Sequence, residues 1–186
     1  MRKLSLAELG RMTTEEHQQA KKLPVVVVLD NLRSQHNIGS IFRTADAFRL
    51  EAIYLCGISA TPPKREMQKT ALGATESVHW KHFANTMQAV DALKAKGYTL
   101  CSIEQTEGSN SLNNLDLPQT NGLAIVFGNE VGGVEQAVID ASDHCIEIPQ
   151  FGTKHSLNVA VSAGIVIWEV FNKYLKTHGQ SLLDKS

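Results

Sequence analysis

Three short segments hold the side chains best suited to chemistry. The first is Asn37-Ile38-Gly39-Ser40-Ile41-Phe42-Arg43, directly after an apolar run and a polar turn. Arginine is the side chain best shaped to hold a phosphate in a bidentate fork. Asn37 at a helix start leaves backbone N–H groups and an amide facing outward. A plainer account stays open, with Asn37 as an N-cap and Arg43 paired to Asp46 at i,i+3. The second segment is Phe127-Gly128-Asn129-Glu130-Val131-Gly132-Gly133. Its glycines permit close approach of a ligand to the backbone, and Glu130 is a lone carboxylate in the same loop. The spacing is neither the dinucleotide fingerprint nor the phosphate-binding P-loop. The third segment, Pro149-Gln150-Phe151-Gly152-Thr153-Lys154-His155-Ser156-Leu157-Asn158, turns from an apolar run into a long helical pattern. Ser156 and Asn158 are capping residue types, which alone can account for them. His155 reads as a turn histidine rather than a base, and no Ser/His/Asp arrangement emerges, so hydrolysis is set aside.

The elements around these segments alternate in kind. Residues 25–30, 52–56, 98–103, 123–127 and 144–148 read as strands, and 78–83 as a weaker one. Residues 25–30 and 123–127 are almost uninterruptedly apolar, as strands covered on both faces are. Helices are predicted over 37–48, 85–96, 134–142 and 156–176. The first places Ile38, Ile41, Phe42, Ala45 and Phe48 on one stripe, with Arg43 off it. In the last, Ser156 suits the N-cap, and Leu157, Val161, Gly164, Ile165, Trp168 and Phe171 suit the buried face. Val159, Val166, Ile167 and Val170 then remain for a second apolar face, which predicts a homodimer through that side of the helix. Residues 1–22 form a polar arm, helical over 14–22, and 177–186 a frayed tail. Residues 104–120, rich in Gly, Ser and Asn, read as a loop. The alternation makes 23–176 an α/β domain on a mainly parallel sheet with flanking helices.

Composition narrows the class. The 186 residues are 42% hydrophobic and 20% charged, ordinary for a globular domain. No apolar run approaches the roughly 20 residues that span a bilayer, and no secretory signal precedes the domain. Cys56, Cys101 and Cys145 are scattered and odd in number, which suits a reducing compartment, so a cytoplasmic location is expected. No metal-ligand spacing is present, and no metal is expected. The net charge of −1 requires any nucleic-acid contact to be local. Arg33, Arg43, Lys64, Arg65, Lys69, Lys81 and Lys154 are the candidates for such a patch.

Taken together, the three segments resemble the three motifs of the SpoU (TrmH-like) family of SPOUT RNA methyltransferases. The first motif is matched by Asn37, Gly39 and Arg43, the second by Gly128, Asn129, Glu130 and Gly133, the third by Pro149, Ser156, Leu157 and Asn158. Val131 departs from the glycine that many members carry. The resemblance spans residues 23–175 and implies a C-terminal trefoil knot, S-adenosylmethionine as cofactor, and a homodimer with the active site at the subunit interface. By position it implies Gly128, Ile148 and Leu157 as cofactor-lining residues. Asn37, Arg43, Glu130, Ser156 and Asn158 become the polar functional set. With about 23 residues ahead of the domain, RNA capture falls to the arm, the tail and the domain surface.

The implied reaction is methylation of a ribose 2′-hydroxyl of tRNA or rRNA, with tRNA favoured. The hydroxyl must be placed in line with the methyl and lose its proton as it attacks. Arg43 would contact the 2′-oxygen or the adjacent phosphate. Asn37 and Asn158 would orient the ribose or Arg43, and Glu130 and Ser156 would hold the loops and helix end. Two other readings stand beside this one: a SPOUT base methyltransferase, and a non-catalytic RNA-binding protein that keeps the fold. A dinucleotide-dependent oxidoreductase is weakened by the missing fingerprint.

Overall fold

Strand β1, Leu23–Asp30, is buried on both sides. Val25, Val27 and Leu29 enter one apolar cluster, while Val26 and Val28 enter another on the opposite face of the sheet. Period-two alternation sends successive side chains to opposite faces, so a strand apolar at every position needs helices on both. The computed structural model, which describes residues 1–5 and 7–179, supplies them.

In chain order β1 is preceded by α1 (Thr14–Gln19) and followed by α2 (Gln35–Ala47) and β2 (Leu50–Cys56). Next come α3 (Arg65–Ala71), α4 (Ala74–Ser77), β3 (Trp80–Phe83), α5 (Thr86–Ala95) and β4 (Tyr98–Ile103). Strand β5 (Asn110–Ser111), β6 (Gly122–Phe127), α6 (Gln136–Ala141), β7 (His144–Glu147) and α7 (Val159–His178) complete the fold. The seven strands form one sheet in the order β3-β2-β1-β6-β4-β7-β5, and every pairing is parallel. All carboxyl ends therefore lie on one edge. Helices α2, α3 and α7 pack over the face of Val27 and Ile125, and α5 and α6 over that of Val28 and Val126.

Gly39 sets how closely α2 and α3 approach. A Cβ there would lie 2.2 Å from the Met67 carbonyl and 2.2 Å from Thr70 Oγ1. The first-motif glycine is thus a packing residue, and it lets α3, which carries Arg65 and Lys69, lie against the helix that carries Arg43.

Several expectations need correction. Helix α2 starts before Asn37 and is capped by Ser34, whose side chain accepts from the Asn37 N–H. Helix α7 starts at Val159, and its cap is Asn158 rather than Ser156: Asn158 Oδ1 accepts from Ala160 N at 2.9 Å and Val161 N at 3.4 Å. The two faces assigned to α7 are exchanged. Ala163, Val166, Ile167, Val170 and Tyr174 are buried, whereas Val161 and Trp168 are about half exposed, at 51% and 52%. A helix apolar on almost every side carries no phase for periodicity to read. The short helices α3 and α4 lay outside the predicted set, and β5 falls within the predicted loop. Helix α7 runs on to His178; the rest of the frayed-tail expectation, residues 180–186, lies outside the described residues. The arm is tied down by His17, which is buried between the backbone carbonyls of Ser77 and Asp46.

Candidate functional site

Strands β1, β6, β4 and β7 end side by side at Asp30, Phe127, Ile103 and Glu147. From β1 the chain moves outward to β2, and from β6 it moves the other way to β7. Open parallel sheets bind ligands at such a point, beyond the strand ends where connections diverge. All three segments singled out in the sequence meet there.

Asn37 is their junction. Its Nδ2 donates to Glu130 Oε1 at 3.2 Å, and its Oδ1 accepts from Asn158 Nδ2 at 3.2 Å. Glu130 also accepts from Arg33 N at 3.1 Å and Ser34 N at 3.0 Å, the unsatisfied amides where α2 begins. Asn158 caps α7 through its oxygen while its amide holds Asn37. One hydrogen-bonded chain, Asn158–Asn37–Glu130, therefore joins the three segments. Burial pushes the Glu130 carboxyl upward, but the backbone N–H groups and the Asn37 amide outweigh it and hold the group below the usual carboxylate range. A depressed carboxyl stabilises the fold above its unfolded pKa of about 4.3, and that contribution is lost as pH falls through the lower folded value. Wild type should therefore melt above Glu130→Gln at pH 7, and the gap should close in thermal melts taken below about pH 4.

The second segment is a loop closed on itself. Asn129 and Gly133 exchange backbone hydrogen bonds at 3.0 and 3.1 Å, and Asn129 Oδ1 accepts from Val131 N and Gly132 N at 2.9 and 2.7 Å. A Cβ on Gly128 would lie 1.9 Å from the Gly133 carbonyl carbon, so only glycine fits. Gly133 adopts φ +69°, and a Cβ there would lie 2.2 Å from Glu104 Oε2. Val131, the departure noted in the sequence, is not among the positive-φ residues and protrudes into solvent, so the substitution strains nothing. The neighbouring strands grip the loop as it leaves β6. Glu104 Oε2 accepts from Val134 N at 3.0 Å, and Asp30 Oδ2 accepts from Glu135 N at 2.9 Å.

These segments enclose a cleft of about 570 Å3. Gly128, Ile148 and Leu157 all line it, as do Ser156, Asn158 and Glu130. Its apolar wall comes from Ile103, Phe127, Ile146, Ile148 and Leu157. Among the described residues its charged lining is Glu104, Glu130 and Glu147, with no lysine, arginine or histidine. A small ligand that joins an apolar part to polar groups and carries a net positive charge matches that lining.

Arg43 is not part of it. It sits exposed on α2 away from the cleft lining, and the i,i+3 pair with Asp46 does not form. Asp46 accepts instead from Ser77 Oγ and lies 3.5 Å from His17 Nε2. Of the other basic candidates, Lys69 is held by Glu66 at 2.7 Å, while Lys64 and Arg65 are exposed at the start of α3. Nucleophilic chemistry at the buried thiols is disfavoured, since burial pushes Cys56 and Cys101 each up to about 12. Ser34, Asp30, Glu104 and Gln105 were missed in the sequence, and Asn129, matched there as a motif residue, proves to close its own loop. Ser34 stands three residues before Asn37, a capping spacing; Glu104 follows a strand as Glu130 does, and the same reasoning could have found it.

The model of the SpoU rRNA Methylase family matches residues 24–168. The chain belongs to this family. Among curated SpoU relatives, a Staphylococcus aureus protein named for the TrmH family of tRNA/rRNA methyltransferases is 33% identical over 159 residues, covering 86% of this chain and 63% of its own length. The chain thus spans somewhat under two thirds of such relatives. Two solved structures share the fold. The A. aeolicus TrmH/SpoU tRNA modifying enzyme superposes with a TM-score of 0.79 at 25% identity, over 90% of this chain and 84% of that one. The AdoMet-bound rRNA methyltransferase of Sinorhizobium meliloti gives 0.75 at 27% identity, over 86% and 59%.

Proposed function

We propose that this protein uses S-adenosylmethionine to methylate a ribose 2′-hydroxyl of structured RNA, with tRNA favoured over rRNA, in the cytoplasm. The observation that carries the reading is the Asn158–Asn37–Glu130 chain, which ties the first family segment to the other two at the rim of the acid-lined cleft those two line. The cofactor fits that cleft chemically. Its sulfonium and ammonium suit a lining of three glutamates without a cation, and its adenine suits Ile148 and Leu157 with the backbone of Gly128. When bound, it supplies an electrophilic methyl whose thioether leaving group needs no acid. The relative solved with AdoMet bound supports the assignment.

The remaining work falls to the chain's own residues. Arg43 contacts the 2′-oxygen or the neighbouring phosphate and lowers the cost of charge developing on the oxygen. With a guanidinium pKa above 12, it orients rather than accepts the proton, which passes to phosphate or water. Asn37 and Asn158 fix the rim on which the ribose rests, Glu130 clamps the loop against α2, and Ser156 contributes its hydroxyl to the cleft.

The reading includes a homodimer with the active site at its interface and a C-terminal trefoil knot. Arg43 lies outside the lining of its own cleft, and the stripe Val161, Ile165 and Trp168 begins one turn from Asn158 and is exposed. That stripe offers a second copy an apolar face continuous with the cleft rim. The knot is carried by the family resemblance.

The test is transfer of labelled methyl to tRNA and rRNA, followed by digestion to nucleosides and mass spectrometry. A 2′-O-methylnucleoside is expected. A methylated base would replace the acceptor assignment, and cofactor binding without transfer to any RNA would favour the non-catalytic reading.

A further inference from the structure

The dipeptide Glu104–Gln105, where β4 ends, touches both loops of the cleft and belongs to none of the three family segments. Glu104 Oε2 accepts from Val134 N at 3.0 Å, and its other oxygen accepts from Gln105 N at 2.9 Å. The Gln105 side chain points the other way, and its Nε2 donates to the His155 carbonyl at 2.9 Å. One residue thus holds the 128–135 loop and the next holds the 149–158 loop. Residues of both loops line the cleft, and Glu104 and Gln105 line it with them.

Gly133 shows how tightly this contact is built. Any side chain there would overlap the Glu104 carboxylate, so the glycine of the second segment and the carboxylate from β4 are fitted to each other. Asp30 takes the next amide, Glu135 N, from the other flanking strand. The His155 carbonyl is different. In the exposed stretch 151–158, the bond from Gln105 is a tether to the sheet independent of the Asn158 cap.

We infer that Glu104 and Gln105 are a positioning pair for the cofactor. They fix the separation of the two cleft walls, and so set cofactor affinity apart from the methyl-transfer step. This rests on the function proposed above. It requires the hydrogen-bond polarity of each side chain, not merely its bulk. Glu104→Gln keeps the shape but turns an NH2 towards one of two N–H donors. Gln105→Glu keeps the shape but sets a carboxylate against the His155 carbonyl.

The experiment is calorimetric titration with S-adenosylmethionine and with S-adenosylhomocysteine, alongside melting temperature and initial rates on RNA. The second ligand lacks the sulfonium charge, which separates wall position from the added charge of Gln105→Glu. Gln105→Ala and Glu104→Gln should each weaken both ligands about tenfold, and Gln105→Glu should weaken S-adenosylhomocysteine further than Gln105→Ala does. The rate at saturating cofactor should stay within about twofold of wild type, so that the change is confined to the cofactor KM. Gln105 is exposed, so Gln105→Ala remains informative even if Glu104→Gln fails to fold. Tight wild-type binding with unchanged affinity in Gln105→Ala would overturn the pair's role, as would equal losses from Gln105→Ala and Gln105→Glu. Failure of wild type to bind either ligand would instead remove the proposed function beneath it.

Discussion

On the proposed function, Arg43→Ala should lower methyl transfer to RNA by roughly two orders of magnitude or more, because the transition-state contact assigned to Arg43 would be lost. Cofactor affinity and melting temperature should stay near wild type. The structure sharpens this expectation. Arg43 is exposed on α2, and the carboxylate expected to pair with it is engaged by Ser77 and His17, so its removal breaks no ion pair that holds the fold. The stripe Ile38, Ile41, Phe42 and Ala45 lies buried on the opposite side. Arg43→Lys should recover little, since a point charge cannot reproduce a planar fork. Turnover, cofactor titration and thermal melting on both variants decide the matter. Near-normal turnover in Arg43→Ala would end the assignment, and so would a loss explained by unfolding.

If the protein is the proposed dimer, Ile165→Lys should convert it to a monomer in light scattering. In an isologous interface the change occurs twice about one axis, and an unpaired buried cation weakens association by on the order of a hundredfold or more. Ile165 lies on the exposed side of α7, one turn before Glu169, so a lysine there suits the helix and the subunit fold should persist. Methyl transfer should fall in step with dissociation and return as protein concentration is raised. A wild-type chain that is monomeric at micromolar concentration with full turnover would remove the need for a second copy.

The parts of this molecule legible in the sequence are those where a pattern has one physical reading. Residues 25–30 could only be a strand covered on both faces, and β1 is one. The α2 stripe was phased correctly because Arg43 and Asp46 interrupt it. The three polar segments were joined in the sequence by their family resemblance, and the parallel sheet brings them together at its strand ends. Helix α7 shows where pattern fails: its first ten residues, 159–168, hold only Ser162 to mark a face, and core and surface were exchanged. Helices α3 and α4, of seven and four residues, are too short to display a period. Glu104 could be found only as a carboxylate after a strand, and what it and Gln105 hold was hidden for another reason. Their partners are backbone groups of Val134 and His155, and a backbone partner leaves no trace in side-chain spacing.

The bond between Asn37 and Asn158 closes across 121 residues, and that between Asn37 and Glu130 across 93. Such contacts are rewarded only after long loops have closed, which makes an all-parallel sheet slow to fold. Synthesis proceeds from the N-terminus at about 5–20 residues per second. The nascent chain therefore carries Arg43 and its basic neighbours well before the first turn of α7 has been made. Until that turn caps itself with Asn158, the cleft lacks one wall. A ligand of the cleft thus recognises the finished domain and not its precursors, and at a hundredfold excess over its Kd adds about 2.7 kcal/mol to the native state.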